Sequence, residues 1–347
     1  MAALRWLIYA LGGGMGHLTR ASALARRAAR SGHSVSLLTN SPFAPGLPLE
    51  DVLGPGVHVR RLEATLSKRA VRDVVERWLA DERPDVLVVD TFPRGLGGEL
   101  VALLPELRAR KVLVHRDLNP VYVARFDVAR AVEAFDLLLV PGEDAPFAAH
   151  PRAVRTAPWL LLEPGELLPR ARARALLGVP VEESRPVVAV MGCGQASEVE
   201  EAGAIAARLH PVLGDAALVR WLVPPVAGAS PPKARGARRG AFPGVLRVPV
   251  WPALAVLPGV DVLVGAGGYN TVQEARATGT PLVALARPRL YDRQALRLRP
   301  EELAGSVAEL VERAVLLARA RPVGGPVPYA GGACDAVALI EGVLLSA

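Results

Sequence analysis

Short apolar runs alternate with stretches whose apolar positions recur at helical spacing, the signature of parallel βαβ units. The first run predicts a strand over residues 4–11, then glycines, then a helix from about 17 to 31. On that helix Leu18, Ala21, Ala25 and Ala28 share a face, while Arg20, Arg26, Arg27 and Arg30 take others. Gly32 stops it, and residues 34–39 read as a second strand. Further strands are expected over 86–90, 112–115 and 137–140, with helices over 71–80 and 96–104. The stretch 158–169, with Pro164 and Gly165 inside it, reads as a linker. A second series then begins: helix 166–177, strand 187–190, helix 198–210 and strand 218–223. A Pro-, Gly- and Arg-rich loop over 224–242 precedes strands 245–248, 262–264 and 282–284, with a helix over 270–277 between the last two. Two more helices, about 300–320 and 334–345, end the chain. The expected fold class is α/β, two doubly wound Rossmann-like domains facing across a cleft. The divisions are residues 1–157, a linker 158–169, a second domain 170–322 and a tail helix within 323–347. The tail has the option of packing back on the N-terminal domain. Beyond the general likeness of the two halves no internal repeat is visible.

Composition narrows this picture. The 347 residues are 51% hydrophobic and 22% charged, enough apolar surface for two cores and against a disordered chain. The net charge of +7 raises nucleic acid or anionic membrane as partners. The basic residues are almost all arginine, however, and only Lys68, Lys111 and Lys233 are lysines. The arginines are spread along the chain, and the densest loop cluster, Arg235, Arg238 and Arg239, reads as a solvated loop. No nucleic-acid partner is expected, and peripheral membrane contact stays open. Two cysteines, Cys193 and Cys334, give neither a disulfide framework nor a zinc spacing, so a reduced, cytoplasmic setting is the default. The apolar start runs straight into glycines instead of a cleavage site, which favours a buried strand over a signal peptide. No apolar run approaches the length of a membrane span.

Three motifs carry chemistry. In Gly12-Gly13-Gly14-Met15-Gly16-His17, glycines turn the chain tightly at a helix start, where free N–H groups and the positive dipole end favour anions. A dinucleotide fingerprint is disfavoured, because His17 stands at the third glycine position and the second strand ends in Asn40 instead of an acid. His17 is either a general base at a cleft mouth or a helix-capping or phosphate-binding group. The second motif, Gly265-Ala266-Gly267-Gly268-Tyr269-Asn270-Thr271-Val272-Gln273-Glu274, again passes through glycines into a helix. Its helix start can cradle phosphate oxygens, and Glu274, about one turn in, can accept both ribose hydroxyls. Glu274 is otherwise an acidic residue favoured by the dipole. The third is Tyr291-Asp292-Arg293-Gln294, whose Asp and Gln offer paired acceptors and donors to sugar hydroxyls.

Taken in order, Gly267-Gly268-Tyr269-Asn270-Thr271 through Glu274, Thr278-Gly279-Thr280-Pro281 and Asp292-Arg293-Gln294 resemble the C-terminal domain of glycosyltransferase family 28. That is the family of the MurG-type peptidoglycan N-acetylglucosamine transferases. The N-terminal glycine loop with His17 is similar to that family's as well, so the resemblance spans nearly the whole chain. It implies the two-Rossmann GT-B architecture, acceptor in the N-terminal domain and nucleotide-sugar donor in the C-terminal one. By the same resemblance Glu274 holds the ribose, Gly267 and Gly268 lie against the diphosphate, Asn270 and Thr271 belong to the donor-binding set, and Asp292 and Gln294 read the sugar. Gly192-Cys193-Gly194-Gln195 resembles the second phosphate loop, with Gly194 where the family has serine. Val250 stands where the family's main chain meets the base. Gly13, Gly14 and Gly16 form the phosphate or acceptor loop. His115, Arg116, Asp117 and Asn119 only partly match the family's acceptor motif, so a lipid-linked peptidoglycan precursor is not the expected acceptor.

The reaction implied is inverting transfer of a hexose or N-acetylhexosamine from a UDP-sugar to a hydroxyl of a small molecule, glycan or lipid-linked acceptor. No convincing Asp-x-Asp metal site is present, so neither cofactor nor metal is expected. His17 takes the acceptor proton, and backbone N–H groups meet the departing diphosphate. A nucleotide-sugar hydrolase or epimerase of similar fold, or a non-catalytic sugar-nucleotide or polyanion binder, are the alternatives.

Overall fold

The computed structural model describes residues 3–192, 194–227, 242, 244–320, 329 and 331–345. Cys193 and the loop arginines Arg235, Arg238 and Arg239 lie outside them. Seven strands form the first sheet: β1 (Arg5–Ala10), β2 (Ser34–Thr39), β3 (Val57–Arg61), β4 (Val86–Asp90), β5 (Arg110–Val114), β6 (Leu137–Pro141) and β7 (Ala153–Thr156). Their order is β3-β2-β1-β4-β5-β6-β7. Six form the second: β8 (Val187–Met191), β9 (Leu218–Val223), β10 (Leu246–Pro249), β11 (Val262–Ala266), β12 (Leu282–Leu285) and β13 (Leu303–Ala304). Their order is β10-β9-β8-β11-β12-β13. Every pair in both sheets is parallel. These are two doubly wound domains with one winding rule. Each sheet reverses beside its first strand, between β1 and β4 and between β8 and β11. Ligands of such sheets bind outside the strand ends at that reversal.

The residues explain the strands. β4 and β8 are buried along their whole length, as strands covered by helices on both faces must be. Along β1 and the residue after it the side chains alternate between two cores: Trp6, Ile8 and Ala10 join one, Leu7, Tyr9 and then Leu11 the other. The first core also takes up Leu18, Ala21, Ala25 and Ala28 of the helix Met15–Arg30.

Several elements differ from the sequence expectation. β3 and β7 were not expected, since Val-His-Val-Arg-Arg and Ala-Val-Arg-Thr lack a sustained apolar run. Both are edge strands, and apart from buried Val57 their side chains are only partly covered or exposed. The helix expected from about 300 begins at Val307, because Leu303 and Ala304 first add β13 to the sheet. Ser306 then opens it, its hydroxyl accepting from the Glu309 N–H at 3.2 Å. The expected helix 96–104 is α-helical only over Leu100–Leu103, after Gly97 and Gly98. Within 158–169, Trp159 and Leu161 are buried in the first core and Leu160 in a smaller cluster, while Pro164, Gly165 and Pro169 are exposed. The last helix, Gly332–Leu345, lies on the N-terminal domain: Ala336, Val337 and Ile340 enter the first core, and Glu341 meets His33 Nε2 at 2.8 Å.

Candidate functional site

The two winding reversals face each other across one cleft of about 530 Å³, lined from both domains. The glycine loop after β1 supplies one wall, and the loops after β8 and β11 supply the other.

On the N-terminal side the geometry is built around Asp90, the last residue of β4. Its carboxylate receives Arg20 through Nε at 2.9 Å and Nη2 at 2.8 and 2.6 Å, and lies 2.6 Å from His17 Nδ1. Asp90 is 1% exposed and His17 17% exposed, so a buried carboxylate holds an imidazole whose edge lies on the cleft. Burial pushes Asp90 up, but Arg20 and His17 together hold it well below the usual carboxylate range. With Nδ1 turned to Asp90, Nε2 is left as the proton-accepting nitrogen. The loop before His17 is fixed from β2: Asn40 Oδ1 accepts the N–H groups of both Gly12 and Gly13 at 3.0 Å. Asn40 therefore secures the loop at the position where a dinucleotide fold reads ribose. Gly13 has φ +69°, which suits glycine. Beside His17 stands an aromatic wall, with Phe92 at 5.3 Å and Tyr291 a further 5.0 Å away.

On the C-terminal side the helix Tyr269–Thr278 starts at the cleft with Gly268 as its N-cap. Gly268, Asn270, Thr271 and Glu274 line the cleft. Glu274 is 3% exposed, no protein group among the described residues compensates its charge, and burial raises its pKa to about 8. Gly267 does not line the cleft: a Cβ there would stand 2.8 Å from the Gln294 carbonyl, so the glycine serves close packing of the 294 loop. Asp292 and Gln294 do reach the cleft. Asp292 accepts from Arg297 Nη1 at 2.7 Å, and Gln294 Oε1 from the Arg287 N–H at 3.0 Å.

The loop after β8 is arranged in a way the sequence did not indicate. Gly192, Gly194 and Gln195 line the cleft, but the Gly194 N–H is taken by Glu198 Oε2 at 3.0 Å. A Cβ on Gly194 would collide with that carboxylate, so any side chain here requires Glu198 to move. Glu198 in turn pairs with Arg289. Val250 is not on the cleft wall, although its neighbour Trp251 is, donating through Nε1 to Thr19 Oγ1 at 3.1 Å.

The residues expected at the acceptor divide. Arg116 and Asp117 line the cleft. His115 is fully buried behind it, its Nε2 accepting the Phe147 N–H at 3.1 Å, and burial lowers its pKa to about 4. Asn119 caps the helix Pro120–Arg125, its Oδ1 accepting from Val121 at 3.0 Å. Asp117 and Glu143 instead tie the domains together. Asp117 accepts from Arg293 Nε at 3.0 Å, and Glu143 bridges Arg116 Nε at 2.7 Å and Arg297 Nε at 2.5 Å. Asn270 Nδ2 donates to the Gly16 carbonyl at 3.3 Å, joining the two glycine loops directly.

The missed residues are Asp90, Arg20 as its partner, and Asn40. The sequence signal was an acid ending a buried strand, which becomes meaningful once β4 is known to lie beside β1.

Comparison with solved structures agrees with this layout. The glycosyltransferase of kitacinnamycin superposes with a TM-score of 0.56 at 18% identity, covering 99% of this chain and 100% of that one. Arabidopsis thaliana UGT89C1, complexed with UDP-L-rhamnose, gives 0.58 at 16% identity over 99% and 95%. The spinosyn rhamnosyltransferase SpnG, complexed with thymidine diphosphate, gives 0.56 at 15% over 99% and 96%. The chain has the GT-B fold. No family model and no curated protein matches the sequence. In GT-B terms the cleft described above is the space between the two Rossmann-like domains. Among the described residues no helix is long and apolar enough to cross a membrane, and no group of three or more His, Cys, Asp or Glu is placed to hold a metal ion.

Proposed function

We propose that the chain is a glycosyltransferase that moves a hexosyl or N-acetylhexosaminyl group from a UDP-sugar to an acceptor hydroxyl. One observation carries the reading. A buried carboxyl without a compensating partner, Glu274, stands one turn inside a helix whose N-terminus opens on the same cleft as the His17–Asp90 pair. A ribose offers two hydroxyls to such a carboxyl, and the diphosphate then meets the N–H groups of Gly268–Thr271. The family-28 motif order supports uridine as the base.

The acceptor hydroxyl gives its proton to His17 Nε2 as its oxygen attacks the anomeric carbon. The bond to the UDP oxygen breaks, and the electron pair leaves with the diphosphate. Asp90 stabilises the imidazolium formed and fixes its orientation, the role a buried acid plays behind a catalytic histidine. The reaction runs without a metal, the diphosphate charge being met by helix-start N–H groups. Phe92 and Tyr291 beside His17 support an acceptor with an apolar body next to its hydroxyl. A cytoplasmic setting is proposed with it.

The test is turnover of a UDP-sugar with and without an acceptor mixture. His17→Ala is expected to lower transfer by roughly 10²–10⁴-fold with both substrates saturating. Unchanged transfer removes His17 as base. Breakdown of the donor at the full rate without acceptor makes water the acceptor and the chain a hydrolase.

A further inference from the structure

Two arginines of the cleft wall have guanidinium groups with capacity beyond the contacts described above, Arg20 on its Nη1 side and Arg116 on its Nη2 side. Arg20 is 1% exposed and Arg116 7% exposed, and both line the cleft. Each has a buried guanidinium nitrogen without a hydrogen-bond partner, Nη1 of Arg20 and Nη2 of Arg116. They converge on one ring: the guanidinium carbons lie 5.3 Å and 4.6 Å from the Tyr269 centroid. Neither arginine has a carboxylate to itself. Asp90 is shared between Arg20 and His17, and Glu143 between Arg116 and Arg297. Burial and then the nearby Arg20 lower the Arg116 pKa, so the two cations press on each other. Leaving a charged donor buried without its hydrogen bond is costly, and two such donors on arginines that border one cleft leave capacity for a ligand that completes them.

We propose that Arg20 and Arg116 form an anion subsite that takes a carboxylate of the substrate, separate from the nucleotide diphosphate. A planar carboxylate matches the guanidinium fork, and both arginines border the cleft beside the Tyr269 ring. The carboxylate belongs either to the donor sugar, as a hexuronate, or to the acceptor. The inference rests on the nucleotide-sugar reading of this cleft.

The experiment is calorimetric titration of the full chain at fixed ionic strength. One arm compares UDP-glucuronate with UDP-glucose. The other titrates the UDP-saturated protein with benzoate and with benzyl alcohol. In the arm that carries the carboxylate, the acid is expected to bind roughly 10- to 100-fold tighter than its neutral counterpart. Arg116→Gln removes that preference while UDP affinity is retained. Arg116→Lys keeps a charge without the fork and loses most of the preference, and it decides the matter if the Gln variant does not fold. Equal binding of acid and neutral probes in both arms overturns the subsite, as does a preference that survives both substitutions. Failure of UDP itself to bind refutes the donor site and with it this proposal, whereas UDP binding without acid preference refutes the subsite alone.

Discussion

The two winding reversals of this molecule share a strand order and a glycine loop, yet their polar groups are treated in opposite ways. At the N-terminal one the reactive histidine and its loop are held before any ligand arrives: His17 on Asp90, which Arg20 also grips, and the loop N–H groups on Asn40. At the C-terminal one Glu274 is buried with its charge uncompensated. A paired network fixes a reactive group in one orientation. An unpaired buried acid is costly alone and is relieved when a ligand supplies its partners. The comparison therefore separates a site organised for chemistry from a site organised for binding.

The difference also appears in titration. Asp90 is held below its ordinary value, so its contribution to stability is full above that value and is lost as pH falls. Glu274 is raised from 4.5 to about 8, so the folded state holds more protons across that window. Its contribution is complete below 4.5 and is lost as pH rises through 8. The two halves pull the stability curve in opposite directions.

The largest way to break the comparison is Asp90→Ala. It strands Arg20 as a buried cation, and stability is expected to fall by about 3–5 kcal/mol, read from denaturant unfolding at pH 7. Next is Glu274→Gln, expected to be more stable than the parent at pH 9 by on the order of a few kcal/mol. The gain shrinks as pH falls from 8 toward 4.5, which a series of melting curves measures. A gain that is constant with pH, or a loss at pH 9, contradicts the assignment of an uncompensated acid. The smallest effect is Asn40→Ala, which frees two loop N–H groups. It is expected to cost about 1–2 kcal/mol and to lower turnover more than nucleotide affinity.

Much of this arrangement was legible in the chain. Buried parallel strands announce themselves as apolar runs, and the glycine loops mark where strands meet helices. His17 and Glu274 followed from their places after those loops. Asp90 did not, because it sits 73 residues from His17 and reaches it only through the pairing of β4 with β1. Strand order is a property of the assembled sheet, and no local pattern encodes it. Edge strands β3 and β7 were hidden for the related reason that half-covered strands need few apolar residues. The polar run His115-Arg116-Asp117-Leu118-Asn119 looked like one site, but alternate residues after β5 face different surroundings. His115 turns into the core, Asn119 caps a helix, and Arg116 and Asp117 reach the cleft.

The most direct test of the contrast between the halves is thermal stabilisation by UDP of the parent chain, Glu274→Ala and His17→Ala. At 100 times its dissociation constant UDP is expected to stabilise the parent by about 2.7 kcal/mol. His17→Ala should keep that response and Glu274→Ala should lose most of it. An undiminished response in Glu274→Ala, or none from UDP in the parent, contradicts the account.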